Sequence, residues 1–93
     1  MATAATVRLT DPQLTALECA GVFEGDDDLG IRAHVSADRR RISTAAASAV
    51  CELSNGIDEA IRDQDSDERR RWYATDSRVL ANLYSKLLRA AAR

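Results

Sequence analysis

The chain has 93 residues, of which 45% are hydrophobic and 30% charged, and its formal net charge is −2. That is one domain's worth of chain, near the lower limit for a self-sufficient core and too apolar for wholesale disorder. The slightly acidic balance argues against non-specific coating of nucleic acid, which needs a strongly basic surface, and leaves room only for a local basic patch.

Residues 1–5 are small and are expected to fray. TVRLT (6–10) alternates, with Val7 and Leu9 on one side, as a short strand would. Thr10 then offers an N-cap, Asp11 and Pro12 suit a first turn, and Gln13 completes a capping box, which predicts a helix over 11–20. Gly21 is placed to stop it in the left-handed conformation, with Val22 or Phe23 folding back. EGDDDLG (24–30) reads as a charged loop. IRAHV (31–35) alternates again and is a candidate partner for 6–10 in a minimal two-stranded ribbon.

Ser36 is a candidate N-cap, and the spacing predicts one long helix over 37–63. Its apolar positions are Ile42, Ala46, Ala49, Val50, Leu53, Ile57, Ala60 and Ile61, which fall within an arc of roughly 120°. Gly56 lies at the edge of that stripe. A mid-helix glycine costs about 1 kcal/mol relative to alanine, so a close neighbouring backbone is expected there. DQDSDE (63–68) gives a turn and a second cap, with Asp65 as N-cap and Glu68 completing the box. The last helix is predicted over 66–91, with Trp72, Tyr73, Val79, Leu80, Leu83, Tyr84, Leu87 and Leu88 as its core stripe. A short connection between two long helices predicts an antiparallel hairpin. The expected fold is therefore mainly α. A short N-terminal helix packs on a long antiparallel helical hairpin in a single helical-bundle domain over 1–93.

RRRWYATD (69–76) is the most loaded stretch. At helical spacing Asp76 falls in the middle of the apolar face, beside Leu53 and close to Asn55 and Gly56 of the preceding helix. It admits three readings: the cap of a restarted helix, a buried structural carboxylate hydrogen-bonded to another helix or to a dimer partner, or a catalytic or ligand-binding acid. The catalytic reading lacks a second carboxylate at matching spacing. The triplet Arg69, Arg70 and Arg71 points in three directions behind several acids, the pattern of a solvated helix end. A second triplet, Arg39, Arg40 and Arg41, lies at the other end of the expected hairpin. The two would make one basic surface only in a symmetric dimer.

Thr44, Ala47, Ser48 and Cys51 form a second, small-residue face on the long helix. Leu14, Leu17 and Ala20 of the first helix could cover it, bringing Cys19 near Cys51, or a partner could. His34 is the only histidine and has no Cys or His at ligand spacing. Asp26, Asp27 and Asp28 lack the glycine and terminal glutamate of a calcium loop. No phosphate-binding glycine loop is present. No metal and no cofactor is expected.

The N-terminus lacks the basic start and apolar core of a secretory signal. No apolar run approaches the roughly 18 residues of a membrane span. With two widely spaced cysteines, the expected compartment is the cytoplasm, with both thiols reduced. Lys86 is the only lysine, and with the many alanines this suggests a high-GC genome, such as that of an actinobacterium or its phage. These features favour a small non-enzymatic module or accessory factor that contacts a protein partner or itself, as a homodimer that fuses two hairpins into a four-helix bundle. The first alternative is a dimeric nucleic-acid-binding regulator using the arginine triplets. The second is a small helical enzyme centred on Asp76.

Overall fold

Thr10 opens the first helix as its neighbours require. Its hydroxyl accepts from the Gln13 backbone N–H at 3.3 Å, and the Gln13 side-chain oxygen accepts from the Thr10 N–H at 3.0 Å. In the computed structural model, which describes residues 5–25 and 27–92, this helix is α1 (Asp11–Cys19). It ends in a Schellman turn. Gly21 takes φ +84°, its N–H reaches the Glu18 carbonyl at 3.0 Å, and the Val22 N–H reaches the Leu17 carbonyl at 3.2 Å. Val22 is buried there, so the cap also contributes to the core.

The chain then departs from the expected strand at 31–35. The Asp27 carboxylate accepts from the backbone N–H groups of Ile31 and Arg32, at 2.8 and 2.9 Å. This side-chain capture winds Ile31–His34 into a 3-10 turn. A ribbon does form, but between β1 (Thr6–Arg8) and β2 (Arg41–Ser43). The pair is antiparallel, with Thr6 opposite Ser43, Val7 opposite Ile42 and Arg8 opposite Arg41. Val35 adds only an isolated bridge to Ile42.

The long helix expected over 37–63 is shorter for a related reason. The Ser36 hydroxyl bonds to Asp38 at 2.6 Å, and these two side chains accept the N–H groups of Arg40 and Arg41. Those groups are then lost to any helix. Arg39 adopts φ 60° in the turn. A short 3-10 turn (Thr44–Ala46), opened by the Ser43 hydroxyl, leads into α2 (Ala47–Ile61). Of the residues expected to fray, 1–4 lie outside the described residues, whereas the Ala5 carbonyl accepts from the Thr44 N–H at 2.8 Å.

Helix α3 (Asp67–Ala91) follows a short turn. Its cap is Ser66, one residue later than the expected Asp65. The Ser66 hydroxyl accepts from the Arg69 N–H at 3.4 Å, so Glu68 is not at the box position. Helices α2 and α3 form the antiparallel hairpin that their stripes predict. Helix α1 packs on α3 rather than on the small-residue face of α2. The core joins Leu17, Ile31, Ile42, Val50, Leu80, Leu83 and Leu87, all completely buried. The structure is mainly α, with a short N-terminal helix on a long hairpin and a two-stranded ribbon at its base. No helix among the described residues is long and apolar enough to cross a membrane.

Gly56 corrects one expectation outright. It is exposed, and a Cβ added there meets nothing within 4 Å. No close backbone approach explains it. Gly56→Ala is therefore expected to raise stability by about 1 kcal/mol, the helix-propensity difference alone. Leu80→Ala, at a fully buried site, is expected to cost about 3 kcal/mol. Urea unfolding followed by circular dichroism measures both.

Candidate interaction surface at the hairpin tip

A helix rises ~1.5 Å per residue, so α3 is about 37 Å long while α1 is about 14 Å. Helix α1 and the ribbon therefore cover only part of α3. The covered part is the base, where Leu80, Leu83 and Leu87 are buried. No residue from Asn55 to Asp76 is buried. This stretch, the end of α2 and the first turns of α3, is the hairpin tip.

The apolar stripe continues into the tip without cover. On α2 it runs through Ile57, Ala60 and Ile61, all half-buried. On α3, Arg69, Trp72, Tyr73 and Asp76 recur at i, i+3, i+4 and i+7 and so share one helix face. Tyr73 is half-buried, but Trp72 stands 69% exposed. Trp72 was expected in the core. Periodicity puts it on the core-facing side, and α1 is too short to reach it. Leu88, another expected core residue at the edge of the stripe, is 47% exposed.

Asp76 is half-buried rather than buried. Helix α3 runs through it without interruption, so it caps nothing. Among the described residues its carboxylate has no hydrogen-bond or ion-pair partner. Burial pushes its carboxyl above the ordinary aspartate value. The buried polar position belongs to its neighbour. Ser77 is 5% exposed and Ser54, facing it on α2, 6%. The Ser54 hydroxyl donates to the Ser77 carbonyl at 3.1 Å, and the Ser77 hydroxyl donates to the Asp58 carboxylate. Sequence reasoning missed this clamp. Its signal was a serine on each stripe, one turn from a core residue: Ser54 after Val50 and Ser77 before Leu80.

The two arginine triplets are not brought together. They lie beyond opposite ends of α2, which is itself about 22 Å long. The Arg39 guanidinium sits over the Phe23 ring at 4.3 Å. Arg41 donates to the Thr6 hydroxyl and carbonyl at 2.9 and 3.2 Å. At the tip, Arg70 pairs with Asp67 at 3.4 Å and donates to the Gln64 carbonyl at 2.8 Å. Arg69 and Arg71 are exposed.

Of the small-residue face, Ala47 packs against the core. Thr44 and Cys51 are half-buried and Ser48 is exposed. Cys19 and Cys51 are free thiols. His34 is half-buried, and Asp26 lies outside the described residues. Among the described residues, no group of three or more His, Cys, Asp or Glu is placed to hold a metal.

Comparison with protein-family models, with curated proteins and with solved structures finds no match to this chain.

Trp72→Ala is expected to change stability by less than about 0.5 kcal/mol, as at any exposed position. In the single chain, at high dilution, Trp72 fluorescence should be water-like and freely quenched by acrylamide. Asp76 has a definite pH signature. Its raised folded-state pKa means that the folded chain holds this proton more tightly than the unfolded chain does. Its contribution to stability is therefore most favourable at or below the ordinary carboxylate pKa. That contribution declines as pH rises through the raised value. Asp76→Asn should flatten this limb and leave the single chain more stable than wild type at pH ~7. Urea midpoints measured across the acid range test both statements.

Proposed function

We propose that this chain is a non-enzymatic interaction module that acts by docking its hairpin tip on a protein partner, the chain itself included. The observation that carries this is Trp72. A tryptophan two-thirds exposed on one helix face with half-buried Tyr73, beyond a helix whose Ile57 and Ile61 are also half-buried, has the composition of a contact hot spot. Such spots are rich in Trp, Tyr and Arg and cluster around an apolar centre. Helix α3 supplies the stiffness that holds these anchors in place before a partner arrives, which lowers the entropic cost of docking. Free thiols at Cys19 and Cys51 suit the reducing cytoplasm, where we place the module.

One observation favours a second reading. In the ribbon, Arg8 lies directly opposite Arg41, and like charges facing each other across strands are destabilising. Arg40 is beside them, and with Asp38 they line one shallow cavity. A phosphate placed there would relieve the repulsion, so a nucleic-acid contact would run through the ribbon rather than through two aligned triplets.

A photo-crosslinker replacing exposed Glu68, one turn from Trp72, separates the two readings. In cells it should give protein adducts of discrete mass that disappear with Trp72→Glu. Adducts unaffected by that substitution would refute the docking role of the tip. A mobility shift that weakens steeply with salt and is lost in Arg8→Glu and Arg40→Glu would establish the nucleic-acid reading instead.

A further inference from the structure

The tip carries its own counter-charges, in an arrangement that a single chain cannot use. Arg69 and Asp76 share the exposed face of α3 with Trp72 and Tyr73, but they are two turns apart, about 10 Å along the axis. That is too far for an ion pair within the helix. Among the described residues neither side chain has another partner. The order along the face is basic, aromatic, aromatic, acidic. That order becomes complementary to itself when one copy is turned end over end. A two-fold axis passing between Trp72 and Tyr73 brings residue 69 of one helix opposite residue 76 of the other, and residue 72 opposite residue 73.

We propose that the occupant of the tip is a second copy of this chain. The two α3 helices dock antiparallel, Arg69 of each copy pairs with Asp76 of the other, and Trp72 and Tyr73 form the centre. This rests on the reading of the tip as a docking surface and names its partner. A two-fold contact is isologous, so every pair is made twice. The half-buried stripe of Ile57 and Ile61 then packs on its copy, giving four helices at the joint where one chain has only two. Burial already disfavours the Asp76 carboxylate in the single chain, and a partner arginine offsets that. The patch is small beside stable interfaces, which bury about 1,200 Å² or more. Association is therefore expected in the micromolar range.

The test is the solution mass of four samples across concentration, by light scattering or sedimentation. Wild type is expected to rise from 10.2 kDa towards twice that mass. Arg69→Asp alone faces aspartate with aspartate at both pairs and should remain monomeric, as should Asp76→Arg, which faces arginine with arginine. Mixed in equal amounts, these two variants are complementary at both pairs, and the mixture should recover the dimer. Circular dichroism checks that each variant keeps its helices; all the changed positions are exposed or half-buried.

A wild type that stays monomeric at millimolar concentration overturns the proposal. So do single variants that dimerise like wild type, or a mixture that stays monomeric. These outcomes are separable from failure of the docking reading itself. If wild type is monomeric while Glu68 crosslinks still vanish with Trp72→Glu, the tip docks on a different protein. If wild type is monomeric and the Glu68 crosslinks do not depend on Trp72, the tip docks on nothing.

Discussion

The structure depends on a mismatch of lengths. One helix of 25 residues packs along α2, and the elements that add a third layer are a helix of 9 residues and a three-residue strand pair. A chain this short has little surface to spare for burial. It concentrates what it has at one end, where Leu17, Ile31, Ile42 and the α3 leucines meet. The other end keeps the same amphipathic pattern without a third layer. The exposed tryptophan is a consequence of that mismatch, and the elongated shape, 49 Å along its longest axis, is another.

The Ser54–Ser77–Asp58 clamp lies at the boundary between these two regions. Serines keep the facing helices close, and their hydroxyls bond across the gap instead of leaving buried polar atoms unpaired. Among the described residues no buried side-chain polar atom lacks a partner. The clamp also fixes how far α2 can slide along α3. The tip has no buried residue of its own to set that register, so the register there follows from the clamp. Base and tip therefore differ in kind: the base holds the fully buried core, and no residue of the tip is buried.

Where the chemistry is local, the fold was legible. Thr10, Gln13 and Gly21 specify the ends of α1 by side-chain and backbone bonds within a few residues. The leucines of α3 mark its buried face by spacing alone. The segment from Ile31 to Ala46 was not legible, because Ile42 and Ala46 fit a helical stripe as well as they fit a strand and a turn. Asp27, Ser36 and Asp38 decided the matter by taking backbone N–H groups a helix would have needed, and periodicity carries no record of that competition. The candidate surface was legible by half. Spacing showed which side Trp72 and Asp76 face. It could not show whether anything lies over them, since that depends on the length and direction of α1. Ser77 was overlooked because a serine on an apolar stripe carries little weight until the serine opposite it is known.

The ribbon at the base has a consequence for the order in which the molecule assembles. Helices α2 and α3 are neighbours in sequence, so the hairpin closes with only a short loop. Strand β1 must instead find β2, 35 positions further on at its Arg41–Thr6 bond. It is tied as well to α3 through the Lys86 ammonium, which donates to the Arg8 carbonyl across 78 positions. Contacts of such separation pay the greater loop-closure entropy and form late. The N-terminal strand is therefore a latch that closes on a hairpin already made. During synthesis it emerges before β2 and α3, so its bonds to the ribbon partner come within reach first and its bond to Lys86 only when the last helix has followed.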